Sequence, residues 1–271
     1  MLTIVTEWFD LERSKWEGVR NNRMIPPFIK RSRDDYFKYF NNLCEIRNSI
    51  IIYTEPHLVE EFTEIGKVHN ADLTVIPYDF FGSFTDIRDK IINIMNSEQF
   101  INFVQDPSLP EYWNENYVLV NFLKTILVKK SYDDGLIPDD VAAAWIDFGY
   151  VRDKDRFPVT ENFSWKYDAF NDDKIHLFQI KDIDQTTNIM DTLKYNIVYF
   201  QGCHAVSNKY GWDKYQKIME LSLHELLINN LVDDDQTLML MSYLKFPSFF
   251  TPHKLDPNKD GWFVIFKEFY E

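Results

Sequence analysis

The chain has few of the residues that break or staple a fold: 8 glycines, 11 prolines and 2 cysteines in 271 residues. Gly and Pro are nowhere gathered into a run, so no linker is visible and a single domain over residues 1–271 is expected. No fixed repeat period is present, which argues against a solenoid. Cys44 and Cys203 cannot frame a disulfide scaffold, and their spacing suits no metal motif, so two reduced thiols in a cytoplasmic protein are expected. Long apolar runs are missing too. The best one is interrupted by Lys124, Lys129 and Lys130, short of the roughly 20 residues a membrane helix needs. Met1 to Glu7 has no basic region ahead of an apolar one and does not read as a secretory signal. Positive charge is scarce: 29 Lys and Arg face 43 Asp and Glu, for a formal net charge of −14. A phosphate polymer is repelled by such a surface at long range, so nucleic acid is not an expected partner. A small anion on a local basic cluster stays open. The sequence also lacks a Gly-rich dinucleotide fingerprint, a P-loop, a nucleophile elbow and any His pair at zinc spacing.

What is present is globular: 45% hydrophobic and 17% aromatic residues, enough for a large core. Leu2 to Trp8 is β-branched and apolar and reads as a strand ending at Phe9-Asp10. Ser32-Arg33-Asp34-Asp35 has the form of a capping box, and Tyr36, Phe40, Leu43 and Arg47 follow at helical spacing. The alternation continues. Strands are expected at 49–54, 71–77, 141–147, 175–180 and 197–200, and helices at 57–67, 84–103, 117–130 and 212–227, with another starting near Asp233. Strands alternating with helices imply an α/β fold, a mainly parallel sheet flanked by helices. Ligands of such sheets sit beyond the carboxyl ends of the strands, which directs attention to Thr6–Asp10 and Asp147–Tyr150.

Trp145-Ile146-Asp147-Phe148-Gly149-Tyr150 delivers one carboxylate to a strand exit, with Gly149 allowing close backbone approach. A divalent cation on two phosphates needs such a carboxylate; an Asp that merely caps a turn is the plain alternative. Asp233-Asp234-Asp235-Gln236 precedes an apolar run, where one Asp is accounted for as a helix cap and three in a row are not. Lys30, Arg31 and Arg33 lie ahead of the capped helix and suit a phosphate or a solvated patch. Lys124, on an apolar helix face, must snorkel or find an anion. His204 follows an expected strand and could face the site; His253 lies near the C-terminus, and an ordinary surface role is open to both.

Taken together, several segments resemble the HtrL/YibB family of bacterial proteins over nearly the whole chain. They are Thr3 to Thr6 with Phe9-Asp10, Lys30-Arg31-Ser32 with Tyr36-Phe37, Tyr117 to Lys124, Ala144 to Tyr150, Gln201 to His204 and Asp233 to Gln236. The family is associated with surface-polysaccharide and lipopolysaccharide gene clusters and is similar to glycosyltransferases of the GT-A fold. The resemblance implies a nucleotide-sugar donor, a glycan acceptor and Mn²⁺ or Mg²⁺ on the donor diphosphate. It places Asp147 on that metal, with Gly149 where a second carboxylate is usual and His253 as a substitute ligand. Thr6, Phe9 and Asp10 match the nucleoside region, Lys124 and Arg31 the diphosphate, and Gly149 and Gln236 the donor side. Gly202 and His204 fall to the acceptor or sugar region. Asp234 or Asp235 would meet a sugar and, if transfer inverts configuration, serve as general base. The implied location is cytoplasmic, with room for peripheral association at the inner membrane face. A non-catalytic binding module on the same fold and a metal-dependent phosphohydrolase are the alternatives.

Overall fold

Leu2–Trp8 forms β1 with the bounds its β-branched run predicts, and every residue in it is buried. The computed structural model describes residues 2–157, 163–166, 168–170, 172–256 and 262–269. The remaining strands of the main sheet are β4 (Ile50–Thr54), β5 (Leu73–Pro77), β6 (Ala142–Ile146), β7 (Ile175–Gln179), β8 (Phe200–Ser207) and β9 (Phe250–Lys254). A small hairpin, β2 (Val19–Arg20) and β3 (Arg23–Met24), stands apart from them. The seven-stranded sheet has the order β5-β4-β1-β6-β8-β7-β9. Neighbours β5, β4, β1 and β6 are parallel, β8 runs antiparallel to β6 and β7, and β9 is parallel to β7. The α/β class with a mainly parallel, helix-flanked sheet is therefore what forms.

Two cores lie on the two faces, because side chains alternate along each strand. Val5, Phe9 and Trp145 face α3 (Thr85–Met95), α5 (Glu115–Asp133), α7 (Lys209–Ile228) and α8 (Asp235–Lys245). Ile4, Trp8, Ala144 and Ile146 face α1 (Arg33–Leu43), α2 (Val59–His69) and the short α9 (Ile265–Glu268). The capping box at α1 forms as its sequence dictates. Ser32 Oγ accepts from Asp35 N, and the Asp35 side chain accepts from Ser32 N.

Two expectations are corrected. The helix expected over 84–103 is two helices, α3 and α4 (Glu98–Phe103), because the Ser97 hydroxyl accepts from Phe100 N and starts a new helix. The strand expected over 197–200 lies instead at Phe200–Ser207. Its polar Gln201, Gly202 and His204 are strand residues because β6 and β7 pair it on both sides. The edge strand β9 and helix α6 (Ile189–Tyr195) carry too little apolar periodicity to be read in advance.

From β1 the chain winds outward through β4 to β5, then returns to place β6 on the other side of β1. The sheet order reverses there, and the crossovers leave a crevice at the carboxyl ends of β1 and β6.

Candidate active site

That crevice is a cavity of about 530 Å³, in the range of small-molecule sites. Its floor is built on Lys124. The residue lies in α5 among Val118, Leu119, Phe122, Leu123 and Leu127, all buried, so its ammonium cannot reach bulk water and needs acceptors. It donates to Gly202 O at 2.9 Å and to Asp235 Oδ2 at 2.8 Å, and pairs with Asp147 Oδ1 at 2.9 Å. Burial alone would depress this ammonium, but Asp147 and Asp235 more than offset it and raise its pKa well above the ordinary value. Gly202 is required for the contact. A Cβ there would sit 2.7 Å from the Asp235 carboxylate oxygens, so only a residue without a side chain lets that carboxylate reach the lysine.

Asp147 follows the last residue of β6. Its backbone N–H donates to Cys203 O at 3.0 Å, and its carbonyl accepts from Tyr150 N at 2.9 Å, so the backbone alone closes the turn. The side chain is free for another task. Oδ1 accepts from the Trp145 indole N–H at 2.8 Å and pairs with the Lys124 ammonium at 2.9 Å, while the carboxylate remains one-third exposed. The structure thus decides against the turn-capping alternative.

The acidic helix start divides its labour. Asp234 is the N-cap of α8, accepting from Gln236 N at 3.0 Å, and lines the cavity. Asp233 accepts from Thr237 Oγ1 and from Asp234 N, and Asp235 holds Lys124. Burial pushes the Asp234 carboxyl up to about 7, with Glu111 the next contributor; it pushes Asp235 up to about 7 against the opposing pull of Lys124. Glu7 adds a further carboxyl from β1. It is buried, lines the cavity, and its Oε2 has no hydrogen-bond partner; burial raises its pKa well above the usual carboxylate range.

The rim carries the opposite charge. Arg13, Arg31, Arg33 and Arg152 line it, with Tyr36, Tyr117, Trp262 and Phe263 between them. Arg13 is committed to the fold: Nε and Nη2 donate to Ile29 O, and Nη1 to the Tyr36 hydroxyl. Arg33 pairs with Glu61 and stacks on Phe37. Arg31 lies near Tyr36 and Arg152 over Phe263, at 5.9 and 4.6 Å to the ring centres.

Most residues singled out from sequence meet at this cavity: Phe9, Asp10, Arg31, Lys124, Asp147, Gly149, Gly202, Asp234, Asp235 and Gln236 all line it. Three do not. Thr6 points to the α1 face of the sheet, fully buried, because the strand alternation that brings Glu7 to the cavity turns Thr6 away. His204 is inside β8 and faces Tyr150, Trp165, Phe178 and Phe266; neither ring nitrogen has a partner, and burial lowers its pKa to about 3. His253 is on the edge strand β9, stacked on His176 with a 2.8 Å contact between ring nitrogens, beyond β8 and β7 from Asp147. Gly149 is needed for packing as much as for any ligand, since a Cβ would lie 2.8 Å from the Tyr36 ring.

A family model described as "Bacterial protein of unknown function (HtrL_YibB)" matches residues 1–271. The chain belongs to the HtrL/YibB family. Protein HtrL of Escherichia coli (strain K12) is 35% identical over 273 residues, covering 98% of this chain and 92% of the relative. Among solved structures, apo mouse xyloside xylosyltransferase 1 aligns over 100% of this chain and 93% of that one. The identity is 11% and the TM-score 0.42, a likeness too distant to bear on the site.

In this HtrL/YibB chain the side chains around Asp147 are already engaged with one another. One Asp147 oxygen accepts from an indole and pairs with an ammonium, the neighbouring Asp235 is held by the same ammonium, and His253 is remote. Among the described residues no group of three His, Cys, Asp or Glu is placed to share an ion. Among the cavity residues not singled out from sequence are Glu7 and Arg152. Glu7 had a signal, a lone carboxylate in an otherwise buried apolar strand. Arg152 had none, because it sits in a loop whose position depends on the packing of β6 and of the segment around Phe263.

Proposed function

We propose that this pocket transfers a sugar from a nucleotide-sugar donor to a surface-glycan acceptor, in the cytoplasm or at the inner membrane face. The observation that carries the reading is the division of one cavity at the β1/β6 switch point into an acidic floor and a basic, aromatic rim. Carboxylates such as Asp147 and Asp234 suit sugar hydroxyls, which donate hydrogen bonds. Guanidiniums and aromatic rings suit a phosphorylated nucleoside. Resemblance to a family associated with polysaccharide gene clusters supports the same assignment.

In the transfer, an acceptor hydroxyl oxygen bonds to the anomeric carbon. The bond from that carbon to the diphosphate oxygen breaks, its electron pair leaving on the phosphate. The hydroxyl proton passes to Asp234, whose carboxyl, pushed up to about 7, is matched to taking a proton near neutrality. Asp235 and Lys124 position the floor and do not touch the proton. The test is a panel of nucleotide sugars scored by melting shift and by consumption of donor. Asp234→Asn should lower transfer by about 10²–10⁴-fold while the donor-induced melting shift persists. A panel in which no nucleotide sugar stabilises the fold and none is consumed would sink the reading.

A further inference from the structure

We infer that the pocket neutralises a bound diphosphate with Arg31 and Arg152, two guanidiniums without carboxylate partners, and that it needs no divalent cation to do so. The inference deepens the transferase reading and rests on it for the identity of the anion.

The argument begins with the basic groups that are already engaged. Lys124 donates to Gly202 and Asp235 and pairs with Asp147. A ligand that reached it would compete with partners already in place. Arg13 is bound to Ile29 O and Tyr36, and Arg33 to Glu61. Two cavity-lining arginines remain. Neither Arg31 nor Arg152 has a carboxylate at ion-pair distance among the described residues, in a chain with 43 acidic residues available. The Arg152 Nε is sealed from solvent and has no acceptor. Both guanidiniums line the one cavity, and burial, then the charge of Arg31, lowers the Arg152 pKa.

Two half-buried like charges held together without a counter-ion are a cost unless an anion joins them. They come from different elements, the segment entering α1 and the loop leaving β6, and rings of Tyr36 and Phe263 restrict where each can point. A phosphate or diphosphate accepts the paired N–H bonds that guanidiniums present. The acidic floor repels the same anion and so biases it toward the rim.

The test uses the full chain and inorganic pyrophosphate as probe, with binding measured by calorimetry in excess chelator and again with Mn²⁺. Binding should appear in chelator and change little with Mn²⁺. Arg31→Met and Arg152→Met should each weaken it roughly tenfold or more, the scale of a lost charge-assisted hydrogen bond. Lys30→Met, which removes the same charge from the neighbouring Glu17 pair, should change it by less than about twofold. Arg152→Lys, which keeps the charge but not the fork, should fall between wild type and Arg152→Met. Melting curves equal to wild type establish that the variants are folded. Pyrophosphate binding that requires Mn²⁺, binding that survives both Met variants, or no binding in either condition overturns the inference. The two readings fail separately. Donor turnover that depends on Mn²⁺ ends the inference and leaves the transferase standing; metal-free pyrophosphate binding with no donor turnover does the reverse.

Discussion

At the floor of the cavity, one lysine holds two carboxylates and a carbonyl. At the rim, two arginines line the same space, and among the described residues neither has a carboxylate at ion-pair distance. Both regions are charged and both are partly or wholly buried, yet they behave as different materials. The floor is self-satisfied: its charges define the shape of the site and keep Asp147 and Asp235 in place. The rim is unsatisfied, and its charges are available to a ligand. Charge that is paired inside the fold is architecture, and charge left unpaired at a cavity is binding capacity.

The strongest way to break this comparison is to remove the floor's cation. Lys124→Met should cost about 3–5 kcal/mol in urea unfolding, because two carboxylates lose their buried partner. Adding Asp235→Asn should recover part of the loss, since one orphaned charge is then gone. A single-mutant loss below about 1 kcal/mol would place the floor pair among surface-type bridges and erase the contrast with the rim.

A smaller effect is expected at Gly202, where the added methyl of Gly202→Ala would meet the Asp235 carboxylate at 2.7 Å. The overpacking should cost about 1–3 kcal/mol. It should also weaken the Lys124–Asp235 contact, so Gly202→Ala and Asp235→Asn combined should cost less than the sum of the two. Additive losses would show that the glycine serves something other than this carboxylate.

His204 offers a contrast away from the cavity, a buried polar ring with no partner at all. Its folded pKa, about 3, lies below the ordinary value of 6.5, so the unfolded chain binds more protons between those limits. The neutral ring's contribution is therefore complete above about pH 6.5 and lost as pH falls toward 3. His204→Leu should gain on wild type in urea unfolding as pH falls through that window, and the gap should be flat above it. A gap independent of pH would mean that the ring is not neutral by burial. Arg152→Met should have the smallest effect on folding, within about 0.5 kcal/mol of wild type, since it breaks no ion pair. A larger loss would make the rim as structural as the floor.

The sequence made a good part of this legible. A β-branched run fixed β1, and an apolar strand ending in Asp147 located one wall of the cavity. Lys124 was legible as a lysine that must snorkel or find an anion, and in the structure Asp235, 111 residues further on, is one of the anions it meets. Thr6 and Glu7 show the limit most directly. Both lie at the end of β1, and only the pairing of β1 with β4 and β6, with α5 above, settles which of the two faces the cavity.

Local order is set by interactions a few residues apart, and these were determined by the sequence alone: the Ser32 capping box, the Asp234 cap of α8, the strand periodicity and the exit position of Asp147. Pairing across the chain depends on which elements pack together, and that only the tertiary structure decided. It gave Lys124 its three partners, turned Thr6 and His204 into the core, sent His253 to the sheet edge, and put Arg31 and Arg152 on one cavity. The physical reason is that a charge chooses its partner by distance in space, and in this fold the groups nearest in space are often those farthest apart along the chain.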